Sequence, residues 1–264
     1  MHLHSHACPA QRTCRADRSG ERLVSETPEL LIASLYPRDM NIYGDRGNVL
    51  SLARRVRAQG FAPRVVDVNP GDPLPDEIDI VIGGGGQDSG QNRVAKDLAQ
   101  RADSIRALAA DGTPMLMVCG LYQLFGHRFV THTGDELVGI GVLDVETRGG
   151  AERMIGNIVL DSEEFGEIIG YENHSGDTTL GSGSRPLGKV KQGAGNNPRD
   201  GVEGARSGNV IGTYLHGSLL PKNPALSDFL IGEAATRRYG SFTPIAGANE
   251  TVLLARESAK RRPR

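Results

Sequence analysis

Short apolar runs alternate with amphipathic segments along the first half of the chain. Residues 30–35 (LLIASL) and 114–118 (PMLMV) are apolar runs of the kind found in strands that are buried on both faces of a sheet. Residues 64–68 and 78–82 are two further strand candidates. Because strands that alternate with helices build a parallel sheet covered on both faces, we predict a three-layer α/β/α domain with a mostly parallel central sheet.

The predicted helices carry apolar residues at helical spacing. Residues 48–59 have such a stripe and are followed by Gly60, a residue type that commonly ends a helix. Residues 89–110 are the longest candidate, and we predict one helix there. Residues 224–239 and 249–255 are predicted to be closing helices.

The second half of the chain contains more strand-like segments. Residues 137–145, 155–160, 168–171 and 210–215 are strand candidates, and glycine-rich turns separate them. Residues 181–208 contain many glycine, serine and asparagine residues, so we predict a mobile loop there.

The two ends of the chain differ in composition from its centre. We predict a disordered N-terminal extension over residues 1–28, one domain over 29–245, and a terminal helix with a basic tail over 246–264. The extension has no apolar core of a secretory signal. It contains a group of potential metal ligands, namely His2, His4, His6, Cys8 and Cys14. Hydrophobic support is missing around them, so we predict no metal site.

Composition narrows the functional classes. The 264 residues include 30 basic and 32 acidic side chains, a formal net charge of −2, which argues against nucleic-acid binding as the main function. No apolar run reaches the roughly 18–20 residues that span a bilayer, so we predict no transmembrane segment. Three cysteines do not make a disulfide framework, and we expect a reduced, cytoplasmic setting.

The carboxyl ends of the predicted parallel strands indicate where a site would form. Functional groups collect at this edge of a parallel sheet. Three loops follow strands there: residues 36–47, 83–90 and 119–123. We therefore expect reactive side chains in these loops.

Cys119 lies between an apolar strand and the start of a helix, with Gly120 next to it. This is the layout of a nucleophile elbow, in which a tight turn exposes one side chain. The helix N-terminus behind the sulfur favours the thiolate over the thiol. A buried structural cysteine is the alternative, but the glycine and the helix start favour a nucleophile.

Four consecutive glycines, residues 83–86, follow the preceding strand. Their freedom lets backbone N–H groups point toward a developing negative charge, as in an oxyanion hole. A phosphate cradle is the alternative. Because neither a Walker A pattern nor a dinucleotide fingerprint is cleanly present, we favour acyl chemistry.

A cysteine nucleophile usually needs a histidine base. His216 ends a predicted strand, which makes it the first candidate, and His174 is the second. His127 and His132 lie beyond the elbow helix, and we expect them at the surface.

Together these residues resemble the class I glutamine amidotransferases, whose domain is flavodoxin-like. The similarity is greatest to the cobyric-acid-synthase-like branch and, within it, to the GatD-type glutaminase subunits of lipid II isoglutaminyl synthase. It covers roughly residues 30–239. It rests on the following segments, in this order: residues 35–37 with 41–48 (NIYGDRGN), 83–88 (GGGGQD), 118–124 (VCGLYQL), 172–176 (ENHSG) and 212–224 (GTYLHGSLLPKNP).

The resemblance implies a role for each of several residues. Cys119 would attack the side-chain amide of L-glutamine, and His216 would transfer the protons. The oxyanion would be held by backbone N–H groups of the 84–86 segment, with Gly84 and Gly85 as the named donors, and of Gly120.

Two side chains are implied as substrate-binding groups. Arg153 matches the position where the family has an arginine for the substrate, and a guanidinium can hold a carboxylate through two hydrogen bonds. A surface arginine is the alternative. Gln123, one turn into the elbow helix, is a secondary candidate.

The resemblance also implies a partner. Ammonia would pass to a Mur-ligase-like, ATP-using subunit in a heterodimer, which amidates the D-glutamate of lipid II. The chain has no Walker A lysine motif, so ATP would be used by the partner, and we predict no cofactor for this chain. We expect the 36–47 loop to form part of the partner's docking face.

One position departs from the family pattern. Many class I amidotransferases have a glutamate two residues after the catalytic histidine, where this chain has Ser218. An imidazole base needs a group that fixes its tautomer and orientation. The acid could come from this chain, with Glu172 as a candidate, or from the partner, or the site could work as a dyad. We hypothesise that the partner supplies it.

Two other functions remain open at this stage. The same glutaminase chemistry could serve a cobyric-acid-type or other amide-forming synthase. Alternatively, the chain could be a non-catalytic scaffold for a ligase, although an intact Cys119, His216 and glycine loop argue against this.

Overall fold

The computed structural model describes residues 27–86, 88–216, 218–245 and 250–261. The predicted extension, with its histidines and first two cysteines, lies outside the described residues except for positions 27 and 28. The end of the predicted basic tail, beyond residue 261, also lies outside them.

The predicted parallel sheet is present. Its six strands are β1 (Glu29–Leu35), β2 (Ala62–Val68), β3 (Ile80–Gly83), β4 (Met115–Val118), β11 (Ala205–Ser207) and β12 (Val210–Thr213). They lie in the order β2-β1-β3-β4-β12-β11, and all neighbours are parallel except the edge strand β11, which is antiparallel to β12. The central strands β3, β4 and β12 are buried throughout, as their continuous apolar sequences require.

Helices cover both faces of this sheet, so the predicted α/β/α architecture is confirmed. The described helices are α1 (Arg46–Ala58), α2 (Asp88–Gln100), α3 (Ala102–Ala110), α4 (Gly120–Phe125), α5 (Leu219–Lys222), α6 (Pro224–Tyr239) and α7 (Glu250–Lys260). The prediction of one helix over residues 89–110 is wrong. The helix is interrupted at Arg101. The Arg101 guanidinium donates hydrogen bonds to the Asp97 carboxylate and to the carbonyl of Asn69, which holds the interruption against the loop after β2.

A second, largely antiparallel sheet packs beside the first. Its strands are β5 (Arg128–Val130), β6 (Glu136–Val138), β7 (Val145–Ser162), β8 (Gly166–Leu180), β9 (Gly188–Gln192), β10 (Val202–Glu203) and β13 (Leu215–His216). The long hairpin of β7 and β8 forms its centre. The strand predicted over residues 137–145 is wrong, because β6 ends at Val138 and β7 begins only at Val145.

The segment of residues 181–208, predicted to be a loop, instead contains β9, β10 and β11. Two buried asparagines order it. The Asn196 amide donates to the carbonyl of Gly204 and accepts from its N–H, both at 2.9 Å, and the Asn197 amide donates to the carbonyl of Thr178. Composition alone could not show that these polar side chains lie in the interior.

The strand predicted over residues 210–215 changes sheets at Tyr214. Before this residue β12 pairs with β4, and after it β13 pairs with β8, which places His216 opposite Tyr171. A carboxyl oxygen of the buried Glu203 accepts hydrogen bonds from the N–H of Tyr214 at 2.6 Å and from the hydroxyl of Thr213. The crossing thus holds His216 at the boundary between the two sheets.

Within these described ranges, no helix combines the length and apolar character that a bilayer crossing requires.

Candidate active site

Cys119 stands in the tight turn between β4 and α4, as the sequence predicts. Its backbone angles are φ 51° and ψ −103°, a conformation that is uncommon for a residue with a side chain. The N–H of Cys119 donates to the carbonyl of Thr213 at 2.8 Å, which fixes the turn to the end of β12. Such strain costs of order 1–3 kcal/mol and persists where the surrounding structure enforces it, often at functional sites.

The glycine loop after β3 lies directly against Cys119. A Cβ atom at Gly85 would be 2.9 Å from Cys119 Cβ and 3.0 Å from His216 Cε1, so only glycine fits between these two side chains. A Cβ at Gly120 would be 3.3 Å from the backbone nitrogen of Gly86, so the glycine loop and the turn are adjacent.

One predicted oxyanion donor is already engaged. The N–H of Gly85 donates to Asp45 Oδ2 at 2.9 Å, so it is not free for a substrate oxygen in this structure. The neighbouring Gly86 nitrogen lies beside Gly120, next to the turn at Cys119. Gly84 packs beneath, where its carbonyl accepts from the N–H of Leu121.

His216 is brought to Cys119 from the end of β13 and is almost fully buried. The Tyr43 ring packs against its imidazole, with centroids 4.5 Å apart and the ring planes tilted by 60°. Burial by itself lowers the pKa of His216, but the adjacent Cys119 sulfur and Asp45 carboxylate outweigh it and raise this pKa to about 10. The environment therefore favours the imidazolium form.

A carboxylate that the sequence argument did not single out faces His216. Asp45, just before α1, places Oδ1 3.6 Å from Nδ1 of His216, and both side chains are buried. Asp45 belongs to the 36–47 loop, which also supplies Tyr43. The sequence places this loop at the carboxyl end of β1 and shows few acidic residues in it, which makes each of them a candidate partner of the histidine. Nothing in the sequence shows which of them faces the imidazole.

Glu172, the acid that we considered within this chain, is directed elsewhere. Its carboxylate accepts hydrogen bonds from the N–H groups of Ala194 and Gly195. It therefore holds the turn after β9 and does not orient His216, and this candidate is corrected.

His174, the second candidate base, is a neutral interior residue. Its ring stacks on Tyr214 with centroids 3.6 Å apart and an interplanar angle of 2°, and Nδ1 contacts the carbonyl of Gly176. Burial lowers its pKa to about 3. His127 and His132 are exposed, as predicted.

Arg153 reaches the site from β7. Its Nη2 donates to the hydroxyl of Tyr43 at 2.7 Å and its Nε to the side-chain oxygen of Asn173 at 2.6 Å. The guanidinium is exposed but held by these two bonds beside the ring that covers His216. It is thus oriented at the rim of the site.

Gln123 lies inside the protein, and both ends of its amide have protein partners. Its Nε2 donates to the hydroxyl of Tyr214 at 3.2 Å, and its oxygen accepts from the Gln91 amide at 3.0 Å. These bonds tie α4 to α2 and to the crossing between the sheets. A direct contact of Gln123 with substrate stays a prediction.

No cluster of three or more metal-ligating side chains occurs in the part of the chain that the structure describes.

Comparison of the sequence with known proteins identifies a matching family and several relatives. Residues 31–224 match the model of the CobB/CobQ-like glutamine amidotransferase domain. The chain is 38% identical over 230 residues to subunit GatD of the glutamine-hydrolysing lipid II isoglutaminyl synthase of Staphylococcus aureus, covering 87% of this chain and 94% of that one. For the Streptococcus pneumoniae GatD subunit the identity is 37% over 215 residues, covering 80% and 83%.

A cobyric acid synthase of Pelotomaculum thermopropionicum is 35% identical over 250 residues, which are 87% of this chain but 45% of that protein. Among solved structures, a glutamine amidotransferase superposes with a TM-score of 0.55 at 16% identity, covering 77% of this chain and 98% of that one, which supports the fold alone. The matched domain and the GatD subunits together show that the chain belongs to the CobB/CobQ-like family of glutamine amidotransferases, in the group of the GatD subunits.

Proposed function

We propose that this chain is the glutaminase subunit of a lipid II isoglutaminyl synthase. It would hydrolyse L-glutamine to glutamate and ammonia, with Cys119 as nucleophile and His216 as base. The observation that carries the proposal is the packing of Cys119 and His216 against the same face of Gly85, where a single Cβ atom would collide with both.

The chemistry follows from this arrangement. The Cys119 sulfur attacks the side-chain amide carbon of glutamine, and the carbonyl oxygen becomes an oxyanion. Backbone N–H groups of Gly86 and Gly120, with the Gly84 segment beneath them, would stabilise that charge. His216 donates its proton to the leaving nitrogen, which departs as ammonia and leaves a glutamyl thioester. Water then attacks the thioester while His216 accepts its proton, which releases glutamate and the free cysteine.

Arg153 would recognise the α-carboxylate of glutamine. Its guanidinium is held by Tyr43 and Asn173, and its remaining N–H groups can donate two charge-assisted hydrogen bonds to a carboxylate. Gln123 would act indirectly, by holding α4 and therefore the turn at Cys119.

The ammonia would pass to a Mur-ligase-like partner in a heterodimer. That partner would use ATP to amidate the D-glutamate of lipid II to D-isoglutamine, and this chain would need no cofactor of its own. The support is the identity to GatD subunits over 94% and 83% of their lengths, against 45% of the cobyric acid synthase. This coverage favours lipid II over a cobyric-acid-type acceptor. Since the partner would use ATP, we place the pair in the cytoplasm.

The test uses the full chain purified together with its candidate Mur-ligase-like partner. The wild-type pair should release ammonia from glutamine and amidate lipid II. The pair carrying Cys119→Ala should do neither with glutamine, but should still amidate lipid II when ammonium chloride is supplied, because the ligase is intact. Unchanged ammonia release by the Cys119→Ala pair would refute the catalytic assignment. Failure of both nitrogen sources with the wild-type pair would refute the acceptor.

A further inference from the structure

Ser218 occupies the position at which many class I amidotransferases have a glutamate. In this structure it packs tightly against the 36–47 loop. Its hydroxyl donates to the carbonyl of Gly44 at 3.0 Å, and a Cβ at Gly47 would lie 2.0 Å from its oxygen. A longer side chain in the same orientation would meet the loop.

The same loop brings a different carboxylate to His216. Asp45 Oδ1 faces His216 Nδ1 at 3.6 Å, and the two side chains are 4% and 1% exposed. Neither of these two atoms has a hydrogen-bond partner among the described residues. A movement of less than about 1 Å would bring them to an ordinary hydrogen-bond distance.

We propose that Asp45 is the positioning residue of the base: its carboxylate accepts the Nδ1 proton of His216 and leaves Nε2 to exchange protons with Cys119. The inference rests on the proposed glutaminase function. It places the third member of the triad within this chain, where the sequence argument had assigned it to the partner.

The second oxygen of Asp45 gives the carboxylate a second function. Oδ2 accepts the N–H of Gly85, so one side chain fixes both the orientation of the imidazole and the position of the glycine loop. Because a buried carboxylate needs compensating partners, Gly85 on one side and an imidazolium on the other supply them. An uncharged side chain at position 45 would leave the imidazolium without its counter-charge.

The test compares Asp45→Asn with wild type, in the isolated chain and in the complex. Asparagine can still accept from Gly85 through its oxygen, but it carries no charge toward His216. Asp45→Glu tests partial rescue. Asp67→Asn is the matched control, because it removes an exposed carboxylate that pairs with Arg46 at the start of α1.

Glutaminase turnover is measured across pH for each protein. We expect Asp45→Asn to lower kcat about 100-fold with little change in KM, since orienting a general base contributes on this scale. We also expect the alkaline limb of the profile to move to lower pH, because loss of the carboxylate makes the imidazolium easier to deprotonate. The other ionisable groups around the ring, Tyr43, Cys119 and the neutral His174, are unchanged in the variant.

The results that would overturn the inference on Asp45 differ from those that would refute the glutaminase function. Wild-type turnover in Asp45→Asn would overturn the inference and return the acid to the partner or to a dyad. Lost turnover with an unmoved alkaline limb would also overturn it, because the role would then be structural. If Asp45→Asn does not fold, the NMR titration of His216 in Asp45→Ala and in wild type decides: because alanine carries no charge, identical titrations would overturn the inference. If wild type itself releases no ammonia in either form, the proposed function fails and the inference fails with it.

Discussion

The ring of Tyr43 packs against the imidazole of His216, and its hydroxyl accepts a hydrogen bond from Arg153. Two side chains predicted for separate steps, proton transfer and substrate binding, are therefore linked through a third that the sequence argument did not select. Cys119 itself is only 7% exposed. The loop that we expected to serve the partner is thus also part of the site itself, and a contact with the partner stays a prediction.

The link through Tyr43 can be tested by removing one oxygen atom. Tyr43→Phe keeps the ring over His216 but removes the acceptor that orients Arg153. We expect KM for glutamine to rise about fivefold with kcat nearly unchanged, because one hydrogen bond contributes about 1 kcal/mol and acts on binding. Steady-state glutaminase kinetics measure both constants. A KM equal to that of wild type would show that this hydrogen bond does not orient Arg153 for glutamine binding.

Arg153 itself should matter mainly for binding. We expect Arg153→Lys to raise KM at least about tenfold, because an ammonium cannot reproduce the two-bond geometry of a guanidinium on a carboxylate. Arg148→Lys is the matched control, an exposed arginine on the same strand. The assay is glutamine saturation of ammonia release. Equal KM values for the two variants would make Arg153 an ordinary surface residue.

Substitutions of His216 and His174 should have different effects on turnover. His216→Gln should lower glutaminase turnover at least about 100-fold, the usual contribution of a general base. His174→Gln should retain turnover within about tenfold, because its ring is stacked in the interior and its low pKa keeps it neutral at working pH. NMR titration should show His216 still protonated at pH 8. Loss of turnover in His174→Gln with a normal melting temperature would contradict the assignment.

Glu203 should make the folded state less stable as pH rises. Burial raises its pKa from 4.5 to about 8, while hydrogen bonds from Tyr214 and Thr213 act in the opposite direction. The folded state therefore binds more protons than the unfolded state between about pH 4.5 and 8, and linkage requires stability to fall across that window. Glu203→Gln should remove this part of the pH dependence.

Urea unfolding of both proteins at pH 5.5 and pH 8.5 measures the effect. The difference between the two pH values should be smaller for Glu203→Gln than for wild type, because glutamine mimics the neutral acid. Parallel changes in the two proteins would show that Glu203 ionises normally in the folded state.

The sequence by itself determined the parallel sheet and the turn at Cys119. Buried strands need continuous apolar runs, and a nucleophile elbow needs a strand, a small residue and a helix in direct succession. These are local requirements that a few neighbouring residues satisfy. His216 is different, because the residues around it left His174 open and the family resemblance selected it.

Only the tertiary structure decided which side chains meet His216. Asp45 and Tyr43 come from a loop before α1, while His216 lies near the other end of the chain, and a contact between distant segments leaves no local pattern. The interior position of Asn196 and the change of sheet at Tyr214 were hidden for the same reason, since polar side chains and turn-forming composition usually indicate the surface. The roles of these groups depend on their burial, and burial is a property of the assembled fold.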